Sequence, residues 1–173
     1  QRQKNFFRKH GTTLRGLMTE HGIEPYDYLN FVHDIDFSVL EVDKILSEAV
    51  DKLPGEKFIY TNASTSYAQD VLSRIGLSGK FKDIFDIHDA KFLPKPDMRS
   101  YHKMVDKFAI DPKSSVMVED IAGNLNPAAK LGMTTVWVPT DTVWSENDIA
   151  QENIHHVTEN LPQWLAGIAK QLD

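Results

Sequence analysis

Two hydrophobic periodicities divide the chain. Before Glu56 no run reads as a strand; Phe6, Phe7, Leu14, Leu17 and Met18 recur at helical spacing, and Gly11 and Gly22 break the pattern into short helices. From Glu56 onward short apolar runs alternate with amphipathic stretches, the pattern of a parallel sheet wrapped by helices. Phe58-Ile59-Tyr60 predicts the first strand. Ala68, Val71, Leu72 and Ile75 predict one face of the next helix, which stops at Gly76, and Asp83 to Ile87 predicts a weaker second strand.

The alternation continues to the end of the chain. Tyr101, Met104, Val105 and Phe108 predict a buried helical stripe closed by Asp111-Pro112, and Val116-Met117-Val118 predicts a third strand, apolar on both faces as a central strand should be. Ala128, Ala129 and Leu131 lie on a helix ending at Gly132, followed by a β-branched strand from Thr134 to Val138. Leu161, Trp164, Leu165, Ile168 and Leu172 predict a last helix behind an Asn160 cap. The expected organisation is a small helical lobe over residues 1–52 and an α/β unit over 53–173, with the boundary near Asp51 to Gly55. His155-His156 are expected at the surface before a short edge strand, and Trp137, Trp144 and Trp164 as packing residues.

Composition narrows the classes. Apolar residues at 41% and charged residues at 25% fit an ordinary globular protein able to bury a core. A formal charge of −6 with no basic run argues against nucleic acid, and no stretch approaches the roughly 18 apolar residues of a membrane span. The absence of cysteine removes thiolate metal sites and suits a reducing compartment, so a cytoplasmic location is expected.

Candidate chemistry lies at the predicted strand ends, where open parallel sheets bind ligands. The first strand runs into Thr61-Asn62, Lys95 follows the second, and the third, in VMVEDIAGNL, ends on Glu119-Asp120 with Asn124 four residues beyond Asp120. Adjacent carboxylates repel, and a bound cation is the usual remedy where they converge. Each feature has a plainer reading: Thr61 as a helix cap, Lys95 as a solvated loop charge, Glu119-Asp120 as first-turn acids. Together, a hydroxyl, an ammonium and a carboxylate pair are what a phosphoryl group and its Mg²⁺ require.

With these residues in place the chain resembles the haloacid dehalogenase superfamily. FIYTNAS is similar to its second motif, KP in FLPKPDMRSYHKM to its third, and VMVEDIAGNL followed by AAKLGMTTVWV to its fourth. TNA, KPD followed by an aromatic, and FVHDIDFSVL are most similar to the pyrimidine 5′-nucleotidase branch, whose members dephosphorylate UMP, CMP and related phosphomonoesters. The resemblance implies a Rossmann-like three-layer parallel sheet with a small helical cap. It implies that Thr61 binds a phosphoryl oxygen with the backbone N–H groups of Asn62 and Ala63, and that Lys95 neutralises phosphoryl charge. Asp120, with Glu119, would hold Mg²⁺ directly or through water, and Asn124 would orient the lysine or a metal-bound water. The expected partner is a small phosphorylated metabolite, pyrimidine nucleotides first.

The family's first motif, a strand ending in Asp-x-Asp-x-Thr that carries the nucleophile, has no counterpart ahead of the helical lobe. Asp34-Ile35-Asp36-Phe37-Ser38 imitates it, but Asn30 and His33 spoil the strand that would enter, and only 22 residues separate Ser38 from Thr61. The nucleophile is therefore expected upstream of Gln1. Its strand would lie between those ending at Thr61 and Glu119, and its removal would leave two unpaired edges. An N-terminal stretch, a second chain or a swapped protomer is expected to fill them, unless the strand order has rearranged. Three functions follow: a Mg²⁺-dependent phosphomonoesterase, inactive without its nucleophile; another chemistry on the same fold, either a sugar phosphate phosphatase or mutase or a dehalogenase; or a truncated relative kept as a binding module.

Overall fold

The computed structural model describes residues 6, 9–10, 12–33, 36–141 and 150–172. Its elements run α1 (Thr13–His21), α2 (Pro25–His33), α3 (Lys44–Lys52), β1 (Phe58–Tyr60), α4 (Thr65–Arg74), β2 (Asp83–Phe85) and α5 (Met98–Phe108). They continue with β3 (Val116–Glu119), α6 (Leu125–Leu131), β4 (Thr134–Trp137), β5 (His156–Val157) and α7 (Leu161–Leu172). Helix ends follow the residues that cap them. Thr12, Asp43, Ser64 and Asp97 each accept a backbone N–H of the first turn, and Asn160 Oδ1 does the same for Gln163. Gly132, at φ 94°, closes α6 in the left-handed region that glycine enters without a Cβ penalty. Gly11 and Trp144 lie outside the described residues.

All strand pairs are parallel, in two sheets: β1-β2 and β3-β4-β5. The chain forms two compact units, residues 1–42 with 57–95, and residues 43–56 with 96–173. In this division the segment carrying α3, which packs on α7, belongs to the second unit. Its Ala49 and Val50 are buried, and such helix-on-helix burial is not visible in the spacing of a nine-residue segment.

In the first unit Leu14, Leu29 and Ile87 form a small core with Met18, Tyr28 and Phe92 against it, so α1 and α2 pack on the loop that follows β2. In the second unit the largest fully buried side chains include Tyr101, Leu125, Val136 and Thr135. Thr135 Oγ1 donates to the Asn153 carbonyl at 2.6 Å, and Thr135 N–H donates to His155 Nδ1 at 3.0 Å, which ties β4 to the segment entering β5. β3 departs from the expected two-sided burial: Met117 and Glu119 are buried whereas Val116 and Val118 are exposed. Both β1 and β3 are edge strands of their sheets, each with one strand partner among the described residues. No described helix is long and apolar enough to cross a membrane.

Candidate functional site

The parallel pairing of β1 with β2 extends past both strands. Thr61 N–H donates to the Phe85 carbonyl at 3.0 Å and Ile87 N–H to the Ala63 carbonyl at 3.2 Å, so backbone bonding between the two segments continues to Ala63, just before the Ser64 cap of α4. Thr61 Oγ1 accepts the Ala63 N–H at 3.0 Å, a local turn that brings the hydroxyl and that N–H to one place. A phosphoryl oxygen binding both groups would replace this bond.

Lys95 reaches the same turn from the loop after β2. Its backbone N–H donates to Asn62 Oδ1 at 2.8 Å, and Asn62 Nδ2 donates to the Lys95 carbonyl at 3.4 Å. The ammonium donates to the Tyr60 carbonyl at 3.1 Å and lies 5.0 Å from the Tyr60 ring centroid, within cation–π range. Lys95 is buried, unlike the solvated loop lysine of its plainer reading. Thr61, Asn62, Ala63 and Lys95 are thus brought together within the first unit.

A carboxylate that the strand-end pattern did not single out holds this region in shape. Asp86 accepts the backbone N–H of Thr65 at 2.9 Å, of His88 at 2.8 Å and of Asp89 at 3.0 Å, together with the Thr65 hydroxyl at 2.8 Å. His88 Nδ1 lies 3.1 Å from it, and Asp86 N–H in turn donates to Asp89 Oδ2 at 3.1 Å. Burial pushes the Asp86 carboxyl up, but the donors from Asp89, His88 and Thr65 outweigh it and bring the pKa down to about 2. The signal was present in FDIHDA, where an Asp at a strand end is followed three residues later by a second Asp able to close the turn.

In the second unit β3 turns the two acids differently. Glu119 is buried, and its Oε1 accepts Asn124 Nδ2 at 2.9 Å and Ile121 N–H at 3.3 Å; Asp120 is exposed. Asn124 is buried, and its carbonyl accepts the Tyr101 hydroxyl at 2.5 Å. Asn124 therefore meets Glu119, one of the two acids that the resemblance assigns to the metal. The Trp137 indole N–H donates to the Asp120 carbonyl at 3.0 Å and steadies the turn from β4. Among the described residues no three His, Asp or Glu side chains gather as a ready metal cage. As a Mg²⁺ site the pair fits through Asp120, an exposed carboxylate able to serve one position of a cation that keeps several waters. Glu119 braces the turn.

The Asp34–Ser38 imitation of the first motif resolves in part. Residues 34–35 lie outside the described residues, but Pro25–His33 is helix α2, so no strand enters the phrase. Asp36 is exposed and accepts both the N–H and the hydroxyl of Ser38, at 2.8 and 2.7 Å; these bonds hold its carboxyl below the usual range. It is a turn residue.

A model of the haloacid dehalogenase-like hydrolase family matches residues 11–138. The chain belongs to this family. Solved structures agree on the fold. A dehalogenase is similar at 20% identity and TM-score 0.66, over 97% of this chain and 80% of that one. The L-2-haloacid dehalogenase of Xanthobacter autotrophicus, with chloropropionic acid covalently bound, aligns at 16% identity and TM-score 0.58, over 92% and 74%. A predicted phosphoglycolate phosphatase from Haemophilus somnus 129pt aligns at 19% identity and TM-score 0.58, over 86% of this chain and 64% of that one. The family's α/β architecture of parallel sheets and helices is the one observed.

Proposed function

We propose that this hydrolase-family chain is the body of a Mg²⁺-dependent phosphomonoesterase, with pyrimidine 5′-nucleotides as the favoured substrates. The observation that carries the reading is the buried Lys95, whose ammonium is anchored on the carbonyl of Tyr60, the residue just before Thr61. A cation fixed on the strand end that carries a hydroxyl suits the oxygens of a phosphoryl group, and a preorganised charge is most effective where water is excluded. In the proposed site Thr61 and the Ala63 N–H take one phosphoryl oxygen, and Lys95 neutralises the charge that accumulates on the others. Asp120 would contribute to holding Mg²⁺, which when bound supplies Lewis-acid stabilisation of the phosphoryl oxygens.

The attacking group in this reading is an aspartate carboxylate of the family's first motif, N-terminal to the helical lobe. It forms an acyl phosphate as the alcohol oxygen leaves with a proton from a general acid; water then cleaves this mixed anhydride, releasing phosphate and regenerating the carboxylate. The test is hydrolysis of UMP and p-nitrophenyl phosphate with Mg²⁺, for the chain alone and for a version carrying its upstream segment. Turnover is expected only in the longer version. Hydrolysis by the chain alone that disappears in Asp34→Asn would overturn the assignment of the nucleophile, and halide release from a 2-haloacid without Mg²⁺ would overturn the phosphatase reading.

A further inference from the structure

We infer that Asn62 is a positioning residue for Lys95, a role that rests on the phosphoryl reading above. Its carboxamide faces the Lys95 peptide groups as another peptide would, Oδ1 toward the N–H at 2.8 Å and Nδ2 toward the carbonyl at 3.4 Å. At the other end of the same residue the ammonium donates to the Tyr60 carbonyl at 3.1 Å. Tyr60 and Asn62 flank Thr61, so Lys95 is held at both ends by the neighbours of the residue it is proposed to assist. A lysine side chain loses much rotamer freedom when ordered, and a closed ring of contacts supplies that order before any ligand arrives.

The route into Lys95 explains why a latch is needed. Lys91 and Phe92 both adopt left-handed backbone, at φ 53° and 57°, a conformation that costs non-glycine residues on the order of 1 kcal/mol or more each. Phe92 is held by packing against the Leu14, Leu29 and Ile87 cluster, and its N–H donates to the Ile87 carbonyl at 2.8 Å. Those contacts fix the start of the segment. Its far end, three residues later, is fixed to the β1 turn by Asn62 across a sequence separation of 33 residues. The amide side chain of Asn62 is engaged with Lys95, which leaves the Thr61 hydroxyl and the backbone of residues 61–63 as the parts of this turn proposed to meet a substrate.

Residue-resolved acylation of lysines in the full chain, read by mass spectrometry, tests the inference without any ligand. Asn62→Ala is expected to raise labelling of Lys95 about fivefold, the factor for one lost hydrogen bond, with Lys82 and Lys130 unchanged. Asn62→Gln, which keeps both polar groups but shifts them by one methylene, is expected to raise Lys95 alone by about twofold, and it serves if the alanine variant does not fold. Equal Lys95 rates in the wild type and both folded variants, or a parallel rise at all three lysines, would overturn the latch. A separate arm adds inorganic phosphate and Mg²⁺ to the wild type, where protection of Lys95 is expected. Absence of protection would defeat the phosphoryl reading, and with it the functional meaning of the latch, while leaving the ligand-free comparison to report on the contact itself.

Discussion

The turn after β1 and the turn after β3 differ in how much packed core stands behind their hydrogen bonds. Residues 61–65 are held by side chains that reach for backbone: Asn62 on Lys95, Asp86 on Thr65, His88 and Asp89, and the Lys95 ammonium on the Tyr60 carbonyl. Residues 119–125 add packed core to such bonds: Leu125 and Ala128 are fully buried, Tyr101 and Trp137 donate to the Asn124 and Asp120 carbonyls, and the buried Glu119–Asn124 pair adds direction. The first turn depends on protonation and on individual hydrogen bonds. The second depends on volume as well. A turn that must present an ammonium and a hydroxyl to an anion gains from the former, since its polar groups are already arranged for charge.

The largest expected effect lies in the packed turn. Leu125→Ala should lower stability by about 3 kcal/mol in chemical denaturation, the usual size for a fully buried leucine. A loss smaller than that of the polar substitution at Asp86 would break the contrast. Asp86→Asn should cost on the order of 2 kcal/mol near neutral pH, because the folded carboxylate is held at about 2 against an ordinary 3.8. The folded value is the lower one, so the contribution is complete above about pH 4 and disappears as pH falls toward 2. Denaturation curves of wild type and variant should therefore converge over that window. A gap that stays constant would remove Asp86 from the account.

Asn124→Ala should cost about 1–2 kcal/mol, since it takes a donor from the buried Glu119 while the Ile121 N–H remains. Smallest of all, Asp36→Asn should leave the denaturation midpoint essentially unchanged, because the turn is exposed and the amide still accepts from Ser38. A large effect there would reopen the Asp34–Ser38 phrase as part of a working site.

Much of the architecture was legible along the chain because it is encoded locally. Apolar spacing located Phe58–Tyr60, Val116–Glu119 and Thr134–Trp137 as strands to within a residue, and glycines at 22, 76 and 132 marked helix ends where the backbone turns left-handed. The strand-end positions of Thr61, Lys95 and Glu119-Asp120 followed from order alone, and the family match agrees with the superfamily they suggest. What local pattern does not carry is partnership. Asp86 looked like part of a weak strand, and α3 like part of the first lobe.

Sequence by itself determined the alternation of strands and helices and which chemistry-bearing residues stand at strand ends, because periods of 2 and 3.6 residues report burial on one face of an element. Tertiary structure alone decided that Lys95 is buried and latched to Asn62, that Glu119 turns inward to Asn124 while Asp120 stays exposed, and that α3 packs on α7. The physical reason is that a hydrogen bond between residues 33 positions apart, or a helix's choice of neighbour, depends on where the chain returns, and no residue's local spacing contains that distance.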